Sequence, residues 1–345
     1  MTLRTPWLAI AAMFVLNGAL FGIWAARVPG VMQQFGLSHA SLGLLLLVLA
    51  GGAVSSFPLA GKAVDRLRAA KVTRTIAVIY PLTLIVLALA HNILVLSVFL
   101  FIFGAAHGAM DVAMNSWGAE VERRAERRFM SGFHAMFSLG AGLGAFSGYL
   151  AVQAGLGLFA HFALAAVLIS AVTIYAAQIP WQSDVTATKS TTIFAFPKGA
   201  LLLVGVVAFC ASLGEGAMAD WSAVYLSDIV QVGEGAAALG YTVFSIAMVV
   251  MRLLGDLVVA KLGAIRAAQL GGIIAAGGMM IVVLIPMFST VLLGFALLGV
   301  GYAVVIPLAF SRAANDPHVP PGQAISSVAT LGYGGMLLGL SLIHI

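Results

Sequence analysis

His107, Asp111 and Asn115 stand four residues apart in an apolar stretch, so they share one face of any helix that contains them. A carboxylate in such surroundings is costly to ionise. It serves to take up a proton, to accept hydrogen bonds from a polar ligand, or to bond to a neighbouring helix. The imidazole and amide beside it either sense that charge or act as hydrogen-bonding glue between helices. Glu215 is a second carboxylate in an apolar run, followed by Asp220, Trp221 and Tyr225. Its place toward the outer end of that run suits a gate or a cavity rim, and Asp220 reads as a solvated loop residue. Asn17 is a polar side chain inside the first apolar run. Trp24, close to Arg27 at the end of that run, reads as cavity lining or as an interfacial anchor. His134 reads as a packing residue. No phosphate loop and no metal-ligand cluster accompany these groups, so neither ATP coupling nor a cofactor is expected. His107 and Asp111 could imitate the acid–base pair of an intramembrane enzyme, but no nucleophile stands with them.

Such chemistry needs membrane helices to position it. Of 345 residues, 62% are hydrophobic and 8% charged, whereas a soluble domain carries about 25% charged residues. The apolar runs are about 20 residues long and apolar on all sides, which asks for membrane-spanning helices. A barrel would need strands of about ten residues with alternating polarity. Helices are expected at about 7–27, 41–61, 73–90, 93–118, 131–153, 158–179, 198–218, 238–256, 266–287 and 290–311, with an eleventh opening near Gln323. The first run is too long for a signal-peptide core and reads as a retained helix. Gly140, Gly144 and Gly148 form a small-residue stripe for close helix approach. Pro58, Pro81, Pro286 and Pro307 suggest kinks. Cys210 is the one cysteine, so no intrachain disulfide forms.

Placing the N-terminus in the cytoplasm puts every lysine and arginine except Arg27 on the inner side. The net charge of +5 is therefore a topology signal facing anionic lipid, and no nucleic-acid partner is expected. The polar stretch Pro180 to Thr192 divides the chain. Residues 1–180 form a six-helix half, 181–197 a cytoplasmic linker, and 198–345 a second half, incomplete with helices 7–10 and part of the eleventh. The chain ends in apolar residues with no polar tail, and the origin of residues 341–345 stays open.

Two loops carry a repeated pattern. Gly61-Lys-Ala-Val-Asp65-Arg66-Leu-Arg68-Ala-Ala-Lys71 follows the second run, and Arg252-Leu-Leu-Gly255-Asp256, then Lys261, follows the eighth. They occupy equivalent places in the two halves, as an internal repeat would. The pattern resembles the signature of the major facilitator superfamily, whose fold is all-α with two pseudo-symmetric six-helix halves. The resemblance implies that Gly61, Asp65, Arg66, Arg68, Arg252 and Asp256 form a charge latch holding the inward ends of the halves together. Plain positive-inside charge is the other account of the same loops. The first copy lacks the usual glycine, since Leu67 leads directly to Arg68. The second has Leu257 where an arginine follows the aspartate.

The resemblance covers the whole chain and points to a bacterial branch with MosC-like and YbjJ-like members. It rests on Gly108-Ala-Met-Asp111-Val-Ala-Met-Asn115, Ser131-Gly-Phe-His134-Ala-Met-Phe-Ser138 and Glu215-Gly-Ala-Met-Ala-Asp220-Trp221-Ser. Helices 1, 4, 7 and 10 line the central cavity in that family. By resemblance Asn17, Trp24, His107, Asp111, Asn115 and Glu215 would then face a substrate and proton cavity. The resemblance thereby implies a monomeric secondary transporter in the bacterial inner membrane, moving a small solute by alternating access with proton coupling. A sugar or polyol is favoured, and the MosC-like relation hints at rhizopine or inositol-like compounds. A drug or metabolite efflux antiporter is the alternative, and a receptor or scaffold the alternative of another class. Gly144 is followed by Ala145, where the drug/proton antiporter branch has Gly-Pro.

Overall fold

Apolar runs this long leave each backbone amide and carbonyl to be satisfied within its own segment, which only a helix does. In the computed structural model, which describes residues 5–126, 130–183, 197–319 and 321–339, there are thirteen helices and no strand among the described residues. The first half consists of α1 (Pro6–Ala26), α2 (Val28–Phe35), α3 (His39–Leu67), α4 (Ala69–Leu87), α5 (Ile93–Ala125), α6 (Met130–Gln153) and α7 (Leu158–Ala177). The second half consists of α8 (Ala200–Asp228), α9 (Glu234–Leu262), α10 (Ala264–Leu284), α11 (Phe288–Tyr302), α12 (Val305–Ala314) and α13 (Pro321–Gly339). Among the described residues, ten spans are long and apolar enough to cross a membrane, with α11 and α12 together forming one of them. The lysines and arginines gather where α1 begins and α3 ends, which makes this the basic end of the bundle. The opposite is the far end. Thr5, Ser38 and Asn92 cap α1, α3 and α5 by accepting from the N–H groups of Leu8, Ser41 and Val95.

Several expected boundaries shift. The span at 198–218 runs on to Asp228 as α8, because Asp220 is tolerated inside the helix. Pro286 lies in the connection before α11 and not within a helix. Pro307 has no N–H to offer residue 303, and the tenth span breaks there into α11 and α12. The short α2, opened by Pro29 and closed by left-handed Gly36 (φ 59°), was not expected at all. The linker residues 184–196, the arginines Arg127 and Arg128, and residues 340–345 lie outside the described residues.

Two seams set the first half. α1 and α6 meet backbone to backbone: a Cβ on Gly18 would stand 2.0 Å from the Phe137 carbonyl oxygen, and one on Gly140 2.2 Å from that of Val15. α3 and α5 meet in the same manner through Gly52 and Gly104. This is small-residue packing, in which helices approach closely because no side chain separates them.

The repeat is visible in the backbone. Both α3 and α9 are 29 residues long. Each is followed by a single residue with positive φ, Arg68 (φ 75°, ψ 138°) or Gly263 (φ 78°, ψ 157°), after which the next helix starts. Arg68 therefore stands at the position where a glycine is expected. The shared end also corrects the register read from the sequence. Asp65 lies three residues before Arg68, and Ala260 three before Gly263, so Asp256 matches Gly61 rather than Asp65. The side chain of Asp256 is outside the described set.

Candidate functional site

α5 carries the polar stripe. Gly104 and Gly108 lie on the face packed against α3, and Asp111 and Asn115 continue that stripe toward the basic end. α3 passes Ser56, close to Gly108, and then reaches Pro58. Beyond this level the contact comes from the second half. Tyr333 of α13 packs at a tilt against Phe57 of α3, with ring centroids 5.3 Å apart, and donates its hydroxyl to Asp111 Oδ2 at 3.2 Å. Asn115 Nδ2 donates to Asp111 Oδ1 at 3.0 Å and to the Asp111 carbonyl at 2.9 Å. Asp111 and Asn115 are both half-buried. No ion pair reaches Asp111 among the described residues. It is a carboxylate near mid-helix with only neutral donors around it.

His107 sits on the same side of α5 but is held elsewhere. Its Nδ1 is 2.9 Å from the Tyr80 hydroxyl of α4, and its ring lies against Phe21 of α1 and Phe137 of α6. It makes no bond to Asp111 among the described residues, so His107 does not form the pair that the four-residue spacing suggested. Asn17 has no exposure, and neither of its amide atoms has a partner among the described residues. Trp24 is buried against Phe103, its Nε1 unpartnered. In this conformation Asn17 and Trp24 are core residues. Trp24 is not an interfacial anchor, because its ring does not reach the surface.

The second cluster spans the halves. Glu215 lies near the middle of α8, not toward its outer end, because the helix ends ten residues later than expected. Arg252 lies within α9, ten residues before its end and with a side chain 8% exposed, so it is no loop residue. Its guanidinium donates to both Glu215 carboxylate oxygens at 3.4 Å, to the His134 carbonyl at 3.1 Å and to Ser138 Oγ at 2.7 Å. One arginine thus joins α8 and α9 to α6. The His134 ring packs edge-on to Phe14, as a packing residue would. Asp220, read as a solvated loop residue, is 7% exposed inside α8, with no hydrogen bond or ion pair among the described residues.

The two ends of the bundle differ. At the far end Arg27 Nε lies 2.7 Å from Glu234 Oε1, an ion pair whose angle departs from that of a hydrogen bond. Both Arg27 Nη groups also donate to the Leu156 carbonyl at 3.3 Å. His39 Nε2 meets Asp228 Oδ2 at 2.6 Å. Each pair ties the first half to the second. At the basic end Asp65, Arg66 and Arg68 make no ion pair among the described residues, and a Cβ on Gly61 would meet nothing within 4 Å. Spacing gave no hint of Tyr333 or Tyr80, because both act from other helices. The depth of Asp220 was masked by an end placed too early.

The ten-span helical bundle of the described residues, with a polar centre shared between its halves, is the architecture of a polytopic membrane transporter rather than an enzyme. The chain belongs to the Major Facilitator Superfamily, whose model matches residues 8–340. It is 47% identical over 338 residues to the uncharacterized transporter y4wD of Sinorhizobium fredii, covering 98% of this chain and 90% of that protein. It is 31% identical to the membrane protein MosC of Rhizobium meliloti, covering 96% of this chain and 81% of MosC. Among solved structures, the nucleoside transporter NupG shares the fold with a TM-score of 0.71 at 14% identity, over 99% of this chain and 90% of that one.

Proposed function

We propose that this transporter carries a small polyhydroxylated solute, of sugar or polyol type, by alternating access coupled to protons, with Asp111 as the coupling carboxylate. The observation that carries the proposal is the Asp111–Asn115–Tyr333 group. It is half-buried, lies between the halves, and holds a carboxylate with no counter-charge among the described residues. A carboxylate without counter-charge inside a membrane span marks a proton or substrate pathway. Its neutral donors and acceptors also suit the hydroxyls of a polyol. Glu215 is less free to exchange a proton, since Arg252 neutralises it.

In this reading the basic end is cytoplasmic, the N-terminus lies inside, and the protein works as a monomer in the bacterial inner membrane. Residues 181–197 link the halves 1–180 and 198–345. The conformation is open toward the cytoplasm. The far-end ion pairs support this, as do the unengaged Asp65 and Gly61 at the basic end. Asp65, Arg66 and Arg68 engage the other half only when the basic end closes.

The test begins with a thermal-shift screen of sugars, polyols and organic acids to find a ligand, followed by uptake into vesicles. Asp111→Asn keeps the shape and removes the titration. It should abolish accumulation driven by a pH gradient yet leave downhill exchange. Accumulation that survives the substitution removes Asp111 as the coupling site. Loss of both activities with ligand binding intact would make Asp111 a helix-bonding residue instead.

A further inference from the structure

Where α4 leaves the basic end, beside the last turn of α7, there is an open cavity of about 500 Å³ lined by Lys71, Arg74, Thr75, Val78, Ile79 and Gln178. It lies on the outside of the bundle, away from Asp111. Two of its six lining residues are cations, and none is a carboxylate. Lys71 is exposed and forms no ion pair among the described residues. Arg74 is fixed. Its Nε donates to the Ala177 carbonyl at 3.0 Å, its Nη2 to the Ile179 carbonyl at 2.7 Å, and its guanidinium lies 5.0 Å from the centre of the Trp117 ring. These contacts leave Nη1 without a bond among the described residues. The result is a preset cation at the groove, with a second, exposed cation three residues away.

The apolar part of the groove has a direction. Lys71 and Arg74 are the third and sixth residues of α4, so they lie within about 8 Å of its start. Val78 and Ile79, one turn deeper on the same face, are 53% and 50% exposed, and Leu82 beyond them is 54% exposed. In a membrane this arrangement sets two cations at the headgroup level and an apolar track beneath them. A free anion would use the cations but not the track. A zwitterionic lipid would use the track but bring its own cation against Lys71.

We propose that this cavity is a binding site for an anionic phospholipid, whose phosphate sits between Lys71 and Arg74 and whose acyl chain runs along Val78, Ile79 and Leu82. Basic pockets between helices at the cytoplasmic level take such headgroups. The proposal rests on the membrane setting of the bundle and on the cytoplasmic placing of its basic end, and is independent of the role given to Asp111.

Native mass spectrometry of the purified protein in neutral detergent tests it, with phosphatidylglycerol and phosphatidylcholine titrated in parallel. One phosphatidylglycerol should be retained per chain, at least about tenfold more tightly than phosphatidylcholine. Lys71→Gln removes one interfacial charge and should weaken phosphatidylglycerol about fivefold. Lys71→Arg should restore it, and melting curves of both variants should match the parent. Equal binding of the two lipids, or unchanged binding by Lys71→Gln, overturns the proposal. Displacement of the lipid by millimolar inorganic phosphate also overturns it, since the cavity would then be a site for a soluble anion.

Discussion

Replacing Glu234 by glutamine tests whether the far-end ion pairs set the conformation. Arg27 has a side chain 5% exposed, and that of Glu234 is 25% exposed. Removing one partner of a fully buried pair costs about 3–5 kcal/mol, because the other charge stays buried and uncompensated. Here the Leu156 carbonyl still receives both Nη groups and water reaches the carboxylate, so about 2 kcal/mol is the reasonable share. Glu234 also favours the start of α9 through the helix dipole, but that contribution is the same in both states of the carrier and cancels. If the pair exists only while the far end is closed, about 2 kcal/mol moves the closed-to-open ratio about 30-fold. Nitroxide labels at Gln33→Cys and Met287→Cys, in a Cys210→Ser background, report the distance between the halves at that end. The parent should give one short distance, and Glu234→Gln should add a longer one. His39→Ala breaks a pair whose members are 52% and 38% exposed, worth about 1 kcal/mol or less, so it should shift the populations by about fivefold at most. A single unchanged distance in Glu234→Gln would refute the reasoning.

Three further outcomes are expected. Arg68→Gly should raise the melting temperature, since a side chain at φ 75° costs about 1–3 kcal/mol while glycine there loses about 0.5–1 in entropy; an unchanged or lower value would show an unstrained backbone. Gly18→Leu should abolish folded protein in detergent, because its Cβ alone would lie 2.0 Å from a carbonyl oxygen, whereas Gly132→Ala, with nothing within 4 Å, should leave the yield unchanged. Gly61→Leu should keep the parent's melting temperature but lose transport, read by vesicle uptake, because the side chain fits this open basic end and obstructs its closure.

The helices were legible because a membrane allows only helices or closed barrels to satisfy the backbone, and long runs apolar on all sides mark helices. What the runs did not reveal was where polar residues are tolerated inside a helix. Asp220 was read beyond its span and Arg252 as part of the loop motif at the end of one, yet each is buried within a helix. A charged residue looks like a boundary in one dimension. In three dimensions Arg252 is held by Glu215, Ser138 and the His134 carbonyl, none of them its neighbour in sequence. The stripe His107–Asp111–Asn115 was legible as a stripe, but its division was not. Tyr80 takes His107 to one side and Tyr333 takes Asp111 to the other. The repeat was legible in its place along the chain, while its register needed the two equal helices to be seen ending at Arg68 and Gly263.

The contacts between the halves fall into two kinds, and the difference suggests where the molecule pivots. The far-end contacts, the Arg27–Glu234 ion pair and the His39–Asp228 contact, are polar and lie at the mouths of helices. Around Gly142 and Gly148 the seam between α6 and α9 is built mainly of small residues: a Cβ on Gly142 would lie 3.2 Å from the Ser245 Cβ and 3.6 Å from both Ile246 Cγ1 and the Thr242 carbonyl oxygen, and one on Gly148 3.6 Å from the Ala238 Cβ. Such a seam lets one helix tilt on the other with little to disengage, whereas interlocked large side chains would resist. Arg252 crosses this seam and grips α6 through one backbone carbonyl and one hydroxyl, so its reach tolerates a change of angle. A rocking motion about α6 and α9 would therefore break the ionic ties at the far end and keep the seam. It would also carry Tyr333 past Asp111, so the carboxylate would lose its donor from the second half as access changes. Under the proposal that Asp111 is the coupling carboxylate, that link of one hydrogen bond to the angle between the halves is the route by which its protonation biases the direction of opening.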